Sequence, residues 1–366
     1  MVTAMQLTPT LAWLVDDASN STSLDRFVAE LGTRLAHDGV PRAAAALTVR
    51  VPDPIVARRT WLWRAETSEV IEALGFTLTP AEPPDGALDQ AGRNWLADIG
   101  SGPILEHSIG AGTNTSGIGW IGARPLTSAE ADRLAQAARF ATAPLAALSS
   151  RAMMSAALNA YIGKRSAARV LSGPLRRDFG ETIQAALLFA DLRGFTELSE
   201  MERAATVIAE LNAWFDRVAG ATHAFGGEVL KFIGDGMLAI FPVTGTANEA
   251  CHAVLQAVKA ARTGMAHLNA MRQQQGLKPL AFGAALHLGD IFWGNVGAAD
   301  RLDFTAIGPA VNVVSRLEGL CKPLNQSVLI SGAVAANSGD ALIPLGHHAL
   351  RGIAAPCAVF ALAEEG

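Results

Sequence analysis

Apolar residues recur along this chain in two rhythms, every three or four positions and every second position, and the changes of rhythm mark out its elements. Ser23-Leu24-Asp25 opens a helix that runs to residue 35, with Leu24, Phe27, Val28, Leu31 and Leu35 at helical spacing. Residues 43–51 and 58–65 read as strands, the second with Trp61 and Trp63 on one face. Residues 80–86, rich in proline, have the composition of a loop. A short glycine-rich strand follows at 118–123, and Thr127 with Glu130 forms a capping box for a helix running towards residue 147. Residues 145–161 are alanine-rich and helical, with Met154, Leu158 and Tyr161 as a seam, until Leu171-Ser172-Gly173-Pro174 breaks the run.

After a polar lead-in, residues 185–190 form an apolar run that predicts a buried strand. A helix is expected over about 197–224, where Val207, Ile208, Leu211, Trp214, Phe215 and Val218 recur at three- and four-residue steps. A hairpin (228–233 and 237–241), a helix (247–273), three strands (281–288, 291–296 and 302–307) and a helix starting near Ala310 complete the pattern. The alternation predicts an α+β fold, helices packed on a sheet of the ferredoxin-like kind. The expected organisation is a smaller α/β domain over 1–144, a connecting helix and linker over 145–179, and a second domain over 180–366.

Composition narrows the classes. A length of 366 residues suits two domains, and 50% hydrophobic residues supply ample core. The net charge of −5 argues against a nucleic-acid binder. No apolar run is long enough to cross a bilayer, and the first fifteen residues lack a secretory pattern. Cys251, Cys321 and Cys357 form no metal-type pair and read as reduced thiols of a cytoplasmic protein.

Three strings carry candidate chemistry. In Phe189-Ala190-Asp191-Leu192-Arg193-Gly194-Phe195-Thr196, a carboxylate stands at a strand end beside a glycine that allows a tight turn. That position suits a hard divalent cation, but on this stretch alone a helix N-cap with a glycine turn is the better reading. In Gly226-Gly227-Glu228-Val229-Leu230-Lys231-Phe232-Ile233-Gly234-Asp235-Gly236-Met237, Asp235 falls in a hairpin turn. Lys231 falls inside an apolar strand, where an ammonium must either snorkel to solvent or meet a partner. In Asp303-Phe304-Thr305-Ala306-Ile307-Gly308-Pro309-Ala310-Val311-Asn312-Val313-Val314-Ser315-Arg316-Leu317, Asn312 and Arg316 are four apart on a helix and share a face among apolar neighbours. Glu228 reads as a surface strand residue, and Trp214 and Trp293 as core or interface aromatics. His287, His347 and His348 read as strand residues with no third ligand spaced to join them.

In this order, the three strings resemble the class III nucleotidyl cyclases, and the resemblance covers about residue 180 onward. The order of elements in the first half resembles, in topology, a GAF-type sensor domain, and without a visible ligand constellation it suits a folded dimerisation or spacer domain equally. The cyclase resemblance implies a two-ion site, Mg²⁺ or Mn²⁺, held by Asp191, Asp235 and the carbonyl of Leu192, activating the ribose 3′-hydroxyl and neutralising the triphosphate. It implies that Asn312 orients the ribose and that Arg316 stabilises charge on the α-phosphate as pyrophosphate leaves. Arg351 falls where the family usually has a phosphate-binding lysine. Phe195 joins the substrate-binding set as a ring packing under the metal loop.

Lys231 and Thr305 match the purine-reading pair and resemble the class IIIb subgroup, which includes bicarbonate-responsive cyclases. Lysine only donates and suits N1 of adenine, while guanine N1–H faces it badly although O6 could still accept; the threonine hydroxyl is permissive, so Lys231 carries most of the discrimination. The expectation is therefore an adenylyl cyclase acting on ATP, as a head-to-tail homodimer with two shared sites and an N-terminal regulatory domain. The alternatives are a guanylyl or mixed-specificity cyclase and a non-catalytic nucleotide-sensing module. A diguanylate cyclase, suggested by Gly226-Gly227-Glu228, leaves Lys231 and Asn312-x-x-x-Arg316 without a role.

Overall fold

A computed structural model describes residues 7–41, 43–51, 56–76, 87–100, 102–110 and 115–363. The loop expected at 80–86 lies outside them. The chain divides into two compact units, Met1–Ala160 and Tyr161–Gly366.

The first unit comprises α1 (Pro9–Asp16), α2 (Leu24–His37), β1 (Ala44–Arg50), β2 (Val56–Arg64), β3 (Val70–Phe76), α3 (Gln90–Ile99), β4 (Leu105–Ile109), β5 (Ser116–Ile121), α4 (Ser128–Phe140) and most of α5 (Thr142–Ile162). Its strands form an antiparallel sheet in the order β3-β2-β1-β5-β4. Period-two alternation splits β1 between two cores. Ala45, Leu47 and Val49 join Trp61, Trp63 and Trp120 under the apolar stripes of α1, α2 and α4. Ala44 and Ala46 face Leu88 and Leu96 on the other side. The capping box at Thr127 forms as expected, with Glu130 and Thr127 bonded reciprocally. The helix it starts stops at Phe140, and a separate α5 begins at Thr142.

The second unit adds α6 (Lys164–Ser172), β6 (Gly180–Arg193), α7 (Phe195–Met201), α8 (Ala204–Ala224), β7 (Glu228–Ile233), β8 (Gly236–Pro242), α9 (Ala247–Gln274), β9 (Ala281–Gly297), β10 (Leu302–Ile307), α10 (Pro309–Glu318), β11 (Val328–Ser331), α11 (Gly332–Ser338), β12 (Leu342–His348) and β13 (Cys357–Leu362). The eight-stranded sheet runs β12-β13-β11-β9-β6-β8-β7, with β10 paired to β9. Even-numbered positions of β6 (Ala186, Leu188, Ala190, Leu192) pack with Trp214 of α8 and Val254 and Val258 of α9. Ala185 and Leu187 face Val314 and Leu317 of α10. Asp191 falls on this second, α10-facing side by the same alternation.

Three expected elements need correction. The helix expected over 197–224 is two, α7 and α8, interrupted at Glu202-Arg203 although no glycine or proline lies there. The strands expected at 281–288 and 291–296 are one continuous β9. Gly289 is not a turn residue; a Cβ there would stand 2.8 Å from Ala310 Cβ, so the glycine lets α10 approach the strand. The connecting helix ends at Ile162, before the expected break near 171–174, and a separate α6 follows Gly163.

Glu228 is not a surface residue. It is 5% exposed. Its carboxylate accepts from the Arg165 and Ser166 amides at 3.0 and 2.9 Å and from the Ser166 hydroxyl at 2.6 Å. These bonds and the positive end of α6 offset the cost of burying the charge.

Candidate active site

The centre of the second unit is the edge where β6 and β8 run out together. Asp191 lies opposite Gly236 of β8 and Gly283 of β9, so glycines flank the carboxylate on both sides. A Cβ on Gly236 would stand 3.0 Å from Asp191 Oδ1, and one on Gly283 would stand 2.3 Å from Glu318 Oε1. Both strands are thus kept bare where the acids sit.

Asp235 occupies the β7–β8 turn. Its carbonyl accepts from the Leu192 amide at 3.3 Å and from Trp214 Nε1 at 3.1 Å. Trp214 is fully buried, so this one polar contact ties the turn to the core of α8. Gly194 follows with φ 76°, a left-handed conformation that favours glycine, and starts α7. Phe195, the first residue of α7, packs against the core beneath this loop.

The acids repel one another. Burial, then the Asp235 charge, raises the Asp191 carboxyl to about 6, and the two carboxyls are close enough to share a hydrogen bond when one is protonated. Glu318, at the end of α10, is pushed up to about 7 by burial and then by the charge of Asp191, against the opposing pull of Arg193. Arg193 itself donates to the Gln326 carbonyl. A local excess of negative charge beside the exposed backbone turn at Gly194 is the electrostatic setting that a hard divalent cation relieves. Among the described residues, no group of three or more His, Cys, Asp or Glu side chains is arranged to hold a metal. The donor set is two carboxylates, which fits a cation completed by backbone carbonyl, water and substrate phosphate oxygens.

The remaining site residues lie elsewhere on the same unit. Lys231, on β7, donates from Nζ to Asp303 Oδ2 at 2.6 Å, which resolves whether it snorkels or meets a partner. Thr305 is 5% exposed, and its hydroxyl is buried without a hydrogen-bond partner. Asn312 and Arg316 are both exposed on α10, while Ala310, Val314 and Leu317 fill its core-facing side. Apolar neighbours in sequence therefore do not bury this pair. Arg351 is exposed in the turn after β12. His287 donates or accepts at the Ser331 hydroxyl, 2.9 Å away, and His348 Nε2 lies 3.0 Å from the Leu345 carbonyl.

Residues 180–339 match the family described as the adenylate and guanylate cyclase catalytic domain. The second unit carries a class III cyclase catalytic domain. Adenylate cyclase 1 of Rhizobium meliloti is 35% identical over 161 residues, 43% of this chain and 24% of that protein. The adenylate cyclase of Anabaena cylindrica is 33% identical over 156 residues, 43% of this chain and 31% of that protein. The chain thus matches a quarter to a third of the length of these relatives. Among solved structures, the adenylyl cyclase CyaB of P. aeruginosa is 30% identical, covering 51% of this chain and 96% of that one at a TM-score of 0.45.

Two residues of the cyclase domain escaped the sequence reading. Glu318 closes the string Asn312 to Leu317 by one position, and only the packing of α10 over Gly283 brings it to Asp191. Asp303 opens the same string, and its place two residues before Thr305 on a strand was the available signal for a shared face. No helix among the described residues is long and apolar enough to cross a membrane.

Proposed function

We propose that this chain is a cytoplasmic adenylyl cyclase converting ATP to 3′,5′-cyclic AMP and pyrophosphate at sites shared between two copies of the chain. The observation that carries the reading is the pairing of Asp191 with Asp235 at adjoining strand ends, where mutual repulsion favours a cation. Asp191, Asp235 and the Leu192 carbonyl would hold Mg²⁺ or Mn²⁺, two ions per site, and the bound ions supply Lewis acidity to the ribose 3′-hydroxyl and charge neutralisation to the triphosphate.

The chain's own groups bind and orient. Lys231 donates to N1 of the purine, and the Thr305 hydroxyl meets its 6-substituent. Asn312 holds the ribose so that its 3′-oxygen lies in line with the α-phosphorus. Arg316 stabilises charge on the α-phosphate as the bond to the bridging oxygen of pyrophosphate breaks. Arg351 takes the triphosphate tail, and Phe195 supports the loop from below. The exposure of Asn312 and Arg316 on α10 supports a head-to-tail homodimer in which each copy completes the other's site.

The first unit, with its GAF-like order of elements, is the regulatory domain in this reading. A cavity of about 290 Å³ lined by Val49, Ile109, Leu145, Ser149 and Met153 adjoins α5, so a ligand there would press on the helix that runs to Ile162. Thr305 favours one second reading, a mixed-specificity cyclase, because an unpaired hydroxyl serves the adenine amino group or guanine O6 equally.

The test is purified protein with ATP or GTP, Mg²⁺ or Mn²⁺, with and without bicarbonate at fixed pH. Cation-dependent cyclic AMP formation well above cyclic GMP formation is expected. Equal rates would establish the mixed reading, and no turnover of either nucleotide with Mn²⁺ would overturn the proposal. An unchanged rate across a bicarbonate titration would remove bicarbonate as a regulator.

A further inference from the structure

We propose that the cavity beneath α5 in the first unit binds a small monocarboxylate, with the apolar body of the ligand inside and its carboxylate at Arg50. The inference rests on the reading of the first unit as a regulatory domain and names the chemical class of its ligand.

The cavity follows from where the strands end and which residues α5 turns towards them. The ends of β1, β4 and β5 meet at one edge of the sheet, where Ile109 pairs with Ser116 and the next residue, Gly117, pairs with Thr48. The first half of α5 lies against them. Thr142, Ala146, Ser149 and Met153 recur at steps of three and four, so they share one helix face, and all four line the cavity. Three of the four are small, whereas Leu145 and Leu148 reach the core. A space of about 290 Å³ remains between helix and sheet. Ligand pockets begin at about this size, and packed interiors leave few voids larger than a water molecule.

The lining selects the ligand. Val49, Ile109 and Leu145 are buried and supply apolar surface, and Met153 gives an adaptable wall. Hydroxyls of Ser116, Thr142 and Ser149 add neutral polar groups. Arg50 is the one charged side chain among the described residues of the lining, and it is exposed where β1 ends. A guanidinium carries five N–H donors, so a bond made elsewhere does not exhaust it. Its fork matches a carboxylate, whereas a cationic ligand would be repelled. A second anionic group would have to be buried against valine and leucine side chains. One apolar body with one terminal carboxylate satisfies both parts of the lining. At interior packing density the space holds roughly a dozen non-hydrogen atoms.

The experiment titrates the full chain by calorimetry, without nucleotide, with phenylpropanoate and octanoate and with the corresponding uncharged amides. Saturable one-to-one binding of at least one carboxylate is expected, on the order of tenfold tighter than its amide. Arg50→Gln should bring the carboxylate to the affinity of the amide. Ala146→Phe and Ser149→Leu, which fill the space from two positions of α5, should each weaken acid and amide alike by on the order of tenfold or more, and a cooperative thermal melt shows which variant is folded. No saturable binding of either carboxylate, equal affinity for acid and amide, or undiminished binding in a folded space-filling variant would overturn the proposal. Cyclase assays at saturating carboxylate separate the two claims: binding that leaves the rate unchanged removes the regulatory reading and leaves the site standing, and turnover without binding removes this inference alone.

Discussion

Asp191 and Asp235 are gathered within one chain, whereas Asn312 and Arg316 project from α10 into solvent and, among the described residues, have no side-chain partner. The first region is built inward. Two strands are kept bare by glycine, Trp214 anchors the turn from the core, and a third acid stands beside the pair. The second is built outward, with its apolar side spent on the sheet and its polar side unused. One region is gathered within a single copy and the other is open to solvent, as the proposed head-to-tail dimer requires.

Breaking the inward region should have the largest effect. Asp191→Asn should lower cyclic nucleotide formation by roughly a thousandfold or more, since the cation charge is lost at its source. The same substitution removes a repelled carboxylate, so the melting temperature without cation should hold or rise. A steady-state assay and a thermal melt on one preparation check both.

Breaking the outward region should cost somewhat less. Arg316→Ala should reduce kcat by on the order of a hundredfold while leaving stability within about 0.5 kcal/mol, because an exposed helix position is being trimmed. A comparable loss of stability would show that Arg316 has a structural role in its own chain.

Two further experiments separate fold from chemistry. Burial holds the His287 imidazole down at about 4 from 6.5, so the fold favours its neutral form. The unfolded chain then binds the proton first. The contribution is complete above pH 6.5 and is lost as pH falls towards 4, roughly 3 kcal/mol over the full interval. Denaturant unfolding from pH 8 to 5 should show a shallower slope in His287→Asn than in the parent. Glu228→Ala should cost about 2 kcal/mol, by leaving the first turn of α6 without its acceptors. Urea unfolding measures it.

The local rules read well wherever a residue's role is set by its neighbours in sequence. The Thr127 capping box, the apolar stripe of α2 and the turn at Gly234-Asp235-Gly236 all follow from spacing and turn chemistry. They read poorly where the partner is distant. Glu228 looked like a surface residue because α6, which buries it, lies 62 positions away. Lys231 showed that it needed a partner without showing which, since Asp303 is 72 positions away.

Other elements carried too little pattern. β3 is an edge strand with no fully buried position, so it presents no apolar face to detect. Gly289-Asp290 mimicked a turn because a glycine needed for helix approach is indistinguishable, locally, from one needed for a bend.

The division between a gathered and an open region is tested most directly by mixing two inactive proteins, Asp191→Ala and Asn312→Ala. Random pairing in a head-to-tail dimer leaves one intact site in half of the dimers, so about a quarter of parental cyclase activity should return at equal amounts. Activity that stays at the level of the separate variants at every mixing ratio would contradict a site shared between two copies.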